Sequence, residues 1–157
     1  MKRDIFLKYC EDNGIIIDKE IFIDMIEKMV RYPIIGKMMR GYFKDLGEQT
    51  VAKLIDAKIV GDEDPLKETM ELCKISGYLK DYKVLEDEAN RKVVKIEGAM
   101  FGEYFRKRGI KKKAADEPLA AYMEGVYQAL RGRETKVKEE ACIAEGAMYC
   151  VFEFRIK

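Results

Sequence analysis

Glu139, Cys142 and Cys150 stand close together near the end of the chain, in the run Glu139-Glu140-Ala141-Cys142-Ile143-Ala144-Glu145-Gly146-Ala147-Met148-Tyr149-Cys150. Two thiols and a carboxylate that converge are zinc ligands by type. Zn²⁺ takes Cys sulfur at roughly 2.3 Å and carboxylate oxygen at about 2.0–2.2 Å, and it lowers the thiol pKa values enough to keep both ionised. Seven residues separate the cysteines, and Gly146 near their middle lets the segment fold back so that the thiols meet at the mouth of a turn. The same spacing also suits two core cysteines, free Cys being among the most buried residue types.

The composition excludes much other chemistry. None of the 157 residues is histidine, which removes the commonest general base and every Ser-His or Cys-His nucleophile pair, and leaves a metal only Cys, Asp or Glu. There is no Gly-x-Gly-x-x-Gly fingerprint for a nicotinamide or flavin cofactor, and Gly36-Lys37 with Gly41 lacks the spacing of a phosphate loop. With 30 basic and 29 acidic residues, the overall field steers toward neither nucleic acid nor an anionic membrane. The basic cluster Arg106, Lys107, Arg108, Lys111, Lys112 and Lys113 has no interleaved aromatics and runs straight into Asp116 and Glu117, so it reads as a solvated loop.

Charges at Lys2, Arg3, Asp4, Lys8, Glu11, Asp12 and Asp18 break up the hydrophobic core that a signal peptide needs, and no run reaches the roughly 18–20 apolar residues of a membrane span. A soluble, cytoplasmic protein with four reduced cysteines is expected. Charged residues at 38% and scarce Gln and Asn lean toward a thermophile.

The elements that must position the cluster follow from periodicity. A short amphipathic helix carries Ile5, Phe6, Tyr9 and Cys10 and is closed by Gly14. Asp18 caps a second, with apolar doublets Ile21/Phe22, Met25/Ile26 and Met29/Val30, which stops near Pro33. Doublets Ile34/Ile35, Met38/Met39 and Tyr42/Phe43 lead to Leu46, and Val51, Leu54 and Ile55 extend the helical period to about Ile59, with Gly47 as a bend. A fourth helix runs from Pro65 to Ser76, with Asp64 as cap and Gly77 past the end.

Beyond Gly77 the period changes to alternation. Tyr82, Val84 and Glu86, then Val94 and Ile96, form a hairpin around a polar Asp87–Arg91 turn. A fifth helix carries Leu119, Tyr122, Met123, Val126, Tyr127 and Leu130 and ends at Gly132. Strands Thr135–Ile143 and Met148–Ile156 close the chain. The expected fold is one α+β domain over 1–157: N-terminal helices packed on an antiparallel sheet made of two hairpins, with one long helix between the hairpins.

The pattern Glu139-x-x-Cys142-x-Ala144-x-Gly146-x-x-x-Cys150-x-Phe152, preceded by Glu117-Pro118 and by Gly125 in an apolar helix, resembles the 4-vinyl reductase domain family over residues 117–154. The resemblance implies a fold related to haem nitric-oxide-binding domains and to vesicle-tethering subunits that bury an acyl chain, with sensor members that respond to aromatic effectors. It also implies zinc held by Glu139, Cys142, Cys150 and an upstream Cys two residues after the proline. That position is Ala120 here, so Asp116, Glu117 or a water takes the fourth place, or the site is empty.

The resemblance further implies a small hydrophobic ligand. Met100, Phe101, Tyr104 and Phe105 lie near enough in sequence to Tyr122, Met123 and Tyr127 to line a cavity for it, though such stripes also make an ordinary core. The family's folds often pair, and the stripes at 21–30 and 34–46 can supply a homodimer face. The sequence thus favours a sensor-like binding domain; a reductase-like or tetrapyrrole-related activity and an adaptor subunit are the alternatives.

Overall fold

The computed structural model describes residues 3–13, 18–30, 32–61 and 63–157. Helices α1 (Arg3–Asn13), α2 (Lys19–Val30), α3 (Pro33–Asp56) and α4 (Pro65–Ile75) come first. Strands β1 (Asp81–Asp87) and β2 (Arg91–Glu97), helices α5 (Met100–Lys107) and α6 (Glu117–Arg131), and strands β3 (Thr135–Ala141) and β4 (Cys150–Ile156) follow. The two hairpins join through β2 and β4 into one antiparallel sheet of order β1-β2-β4-β3, so the chain has the α+β architecture expected of it. No helix among the described residues is long and apolar enough to cross a membrane.

The helix signals act locally as their chemistry dictates. Asp18 Oδ1 accepts from the N–H groups of Glu20 and Ile21, and Asp64 Oδ1 accepts from that of Lys67 with Pro65 at the first position. Gly132 ends α6 in the left-handed conformation, φ 68°. Gly14, the expected end of the first helix, lies outside the described residues.

Gly47 does not bend α3, which runs unbroken. It lies on the buried stripe Phe43, Gly47, Val51 and Leu54, where a Cβ would press into the backbone of α6 at Tyr122 and Val126. Gly125 is its counterpart: a Cβ there would collide with the carbonyl of Lys44 and stand 3.0 Å from the amide nitrogen of Glu48. Paired glycines let α3 and α6 pack backbone to backbone, as small residues do at close helix crossings.

α6 lies against β3, α3 and α4, and its Leu119, Met123, Val126 and Tyr127 are buried together with Val94, Ile96, Val137, Phe152 and Phe154 of the sheet. Tyr127 packs on Phe154 with ring centroids 5.4 Å apart. The doublets of α2 and α3 divide between core and surface. Ile26, Met39 and Phe43 are buried, whereas Met25, Ile34, Met38 and Tyr42 are exposed, Ile34 by 76% and Met38 by 67%.

One element and several boundaries differ from expectation. α5 is a helix outside the expected elements, although Met100, Phe101, Tyr104 and Phe105 have the i, i+1, i+4, i+5 spacing of one helical face. β3 stops at Ala141 and β4 starts at Cys150, both shorter than expected. Between them the chain turns: Cys142 O accepts from the N–H groups of Glu145 and Ala147, and Gly146 closes the turn at φ 101°.

Candidate metal centre and adjoining cleft

Three elements and a turn deliver four acidic side chains to one buried point. Glu139 is on the inward face of β3, just before a register shift toward Ala141, the kind of bulge that re-aims side chains. Cys142 opens the turn and Cys150 begins β4, so the short fold-back places their thiols face to face. Asp116 immediately precedes α6. One ligand atom from each of Asp116, Glu139, Cys142 and Cys150 lies within 4.8 Å of all the others, and all four residues are buried. Cys150 Sγ is 3.3 Å and Cys142 Sγ 3.8 Å from Asp116 Oδ2; the sulfur–oxygen edge of a zinc tetrahedron built from ordinary bond lengths is about 3.5–3.7 Å.

Asp116 is held rigidly. Its carboxylate accepts from the N–H groups of Phe101 and Gly102 at 3.0 Å, the two donors that a helix start leaves for a cap. α5 begins after Ala99, whose side chain cannot cap, so Asp116 performs that task from the turn that leads into α6. Gly102 permits the approach, since a Cβ would lie 2.5 Å from Asp116 Oδ2 and 3.3 Å from Cys150 Sγ. Ala120, where a family Cys was expected, is one turn further along α6, its N–H bonded to Asp116 O. Residues i and i+4 share a helix face, so Asp116 reaches toward the same space. Glu117 points elsewhere, into an ion pair with Arg40.

The donor set fits a cation. Glu139 Oε2 accepts from the Asp116 N–H at 3.0 Å, while Oε1 is buried without a hydrogen-bond partner, an arrangement that proteins rarely leave uncompensated. Without a cation, burial pushes Asp116 up to about 7, and burial together with the Asp116 charge pushes Glu139 up to about 10. The Cys150 thiol, hydrogen-bonded to the Cys142 sulfur, holds Cys142 down at about 5, and the same pairing with burial drives Cys150 upward. A divalent ion held by these four groups would relieve the conflicts by taking the place of the protons that the crowded acids retain.

Beside the cluster, Ile23, Ile26, Met39, Phe101, Phe105 and Ala115 form most of an apolar cleft of about 160 Å³. Arg40, Glu27, Glu117 and Lys112 supply its polar groups. Phe101 sits in an edge-to-face cluster with Phe43, centroids 6.5 Å apart, and its backbone N–H is the one held by Asp116. Cleft wall and acid cluster are therefore one structure. Arg40 ties it further, pairing with Glu117 and the buried Glu124 and donating to Val137 O at 3.0 Å.

The sequence matches no family model and no curated protein. Solved structures do resemble it. The phenol-responsive sensory domain of the transcription activator PoxR, solved with phenol, superposes with TM-score 0.72 over 90% of this chain and 76% of that one, at 17% identity. A vinyl-4-reductase family protein from Methanocaldococcus jannaschii superposes with TM-score 0.63 over 98% and 90% of the two chains, at 13% identity. The chain has the vinyl-4-reductase fold. A trafficking protein particle complex subunit 3 from Naegleria fowleri, covalently bound to palmitic acid, shares this fold with TM-score 0.58 over 88% and 95% of the chains, at 9% identity.

Within the vinyl-4-reductase fold, the structure gathers Glu139, Cys142 and Cys150 and adds Asp116. The residues expected around a ligand divide. Phe101 and Phe105 line the cleft. Met100 and Tyr104 face a separate groove with Lys19, Gly77 and Lys80. Tyr122, Met123 and Tyr127 are buried in the core and border none of the described pockets. Ile23, Ile26 and Met39 on the facing helices were not foreseen as lining. Their signal was the inward half of each doublet, which only the crossing of α2, α3 and α5 turns toward the cleft.

Proposed function

We propose that this chain is a sensor-like small-molecule-binding domain, with zinc held by Asp116, Glu139, Cys142 and Cys150 and a single-ring hydrophobic or aromatic molecule in the adjoining cleft. The observation that carries this reading is the shared wall: Phe101 lines the cleft with its ring and is tied to the acid cluster through its N–H. The cleft volume of about 160 Å³ is close to the roughly 150 Å³ cavity that takes benzene in another protein, and a palmitoyl chain is larger. The likeness to a domain solved with phenol agrees in size. Zinc would pin the start of α6 to the β3–β4 turn and supply positive charge to four buried acids; Asp116 would at the same time anchor α5 beneath the ligand. A ligand acts through such a domain only by its differential affinity for two states.

We also propose a homodimer through the exposed halves of the doublets, Ile21, Met25, Ile34, Met38 and Tyr42, since larger apolar patches on soluble proteins mark interaction sites. The test of the main reading combines metal analysis with thermal-shift measurements. Purified protein should contain near-stoichiometric zinc, lost in Cys142→Ser and Cys150→Ser, and should be stabilised saturably by a one-ring aromatic. A wild-type protein that resists zinc loading and ignores every such compound overturns it.

A further inference from the structure

The cleft's charged groups are unevenly matched. Arg40 is neutralised by Glu117 and Glu124, and Glu27 is itself engaged. Lys112 is different. It lines the cleft and is only partly exposed. Its ammonium rests over the ring of Phe105, 4.3 Å from the centroid. Among the described residues no carboxylate lies within ion-pair distance of it. Neighbouring Lys111 and Lys113 are exposed, so Lys112 alone of that basic run faces the cleft.

An ammonium over an aromatic ring is attracted by the negative face of the ring, but a carboxylate is the stronger partner, because charge-assisted hydrogen bonds are roughly twice as strong as neutral ones. A ring bound among Ile23, Ile26, Met39 and Phe101 shares its cleft with Phe105 and the Lys112 ammonium. A neutral hydroxyl there would leave the ammonium without its counter-charge; a carboxylate would supply it.

Resting on the reading of the cleft as a single-ring site, we infer that its ligand is an aromatic carboxylate, with Lys112 as the residue that selects the acid over neutral rings. The experiment measures binding of benzoate, phenol, toluene and benzylammonium to the full chain by calorimetry and thermal shift. Benzoate should bind at least about tenfold more tightly than phenol or toluene, and Lys112→Met should weaken benzoate by about 10- to 100-fold while leaving phenol within a factor of about two. Lys112→Arg should restore most of the benzoate affinity. Phenol or toluene binding as tightly as benzoate, benzylammonium binding tightest, or a Lys112→Met variant with unchanged benzoate affinity would each overturn this inference and leave the single-ring reading standing. If none of the four compounds binds, both fall.

Discussion

Truncating Asp116 to Ala strands the buried N–H groups of Phe101 and Gly102, so Asp116→Ala should lower the unfolding free energy of metal-free protein by about 2–4 kcal/mol in urea. Asp116→Asn keeps an acceptor of the same shape and should retain most of that stability. It removes the charge, however, and should weaken zinc binding by about tenfold or more, as loss of a ligand does; unchanged affinity would reduce Asp116 to a cap. The acids also predict a pH dependence. Asp116 and Glu139 titrate higher when folded, at about 7 and about 10, than the usual carboxyl values, so their contribution is fully present below roughly pH 4 and is lost as pH rises through the folded values. Cys142, lowered to about 5, acts in the opposite direction, gaining between about 5 and 9. Two losses against one gain make metal-free protein less stable at pH 7 than at pH 5, and zinc should reverse the order. Urea midpoints with chelator and with zinc check this, and a chelated midpoint that rises with pH contradicts it.

α3 and α6 meet through Gly47 and Gly125, so the helix pair has no room for a methyl group. Gly125→Ala should destabilise by about 2 kcal/mol or more, because overpacking a close backbone contact forces the helices apart. Gly41 in the same α3 has nothing within 4 Å of its would-be Cβ, and Gly41→Ala should add about 0.5–1 kcal/mol through helix propensity. Opposite signs from one substitution type, read by urea denaturation, separate packing from propensity; equal signs would mean that the helices do not approach this closely.

Among the described residues of α2 and α3, the apolar side chains divide between core and surface. The outward set, with Ile34 at 76% and Met38 at 67% exposure, is expected to close a dimer, so light scattering should find about twice the 18.2 kDa chain mass. Met38→Lys places a charge in that face and should shift the equilibrium to monomer without altering zinc content. A wild-type monomer at high concentration rules the dimer out.

Local chemistry made much of this legible in advance: caps at Asp18 and Asp64, the left-handed stop at Gly132, and the alternation of β4 depend on neighbours a few residues away. The fold-back that joins Cys142 to Cys150 is equally short-range, which is why it could be read with Glu139 from one segment. Asp116 could be named only as one alternative among several, because its place is fixed by amide groups of a helix 14 and 15 residues earlier. Gly47 read as a bend since a sequence shows a missing side chain without showing the backbone pressed against it. The cleft, too, needed coordinates. Each apolar doublet offers two faces, and only the crossing of α2, α3 and α5 decides which one lines a cavity and which one meets solvent.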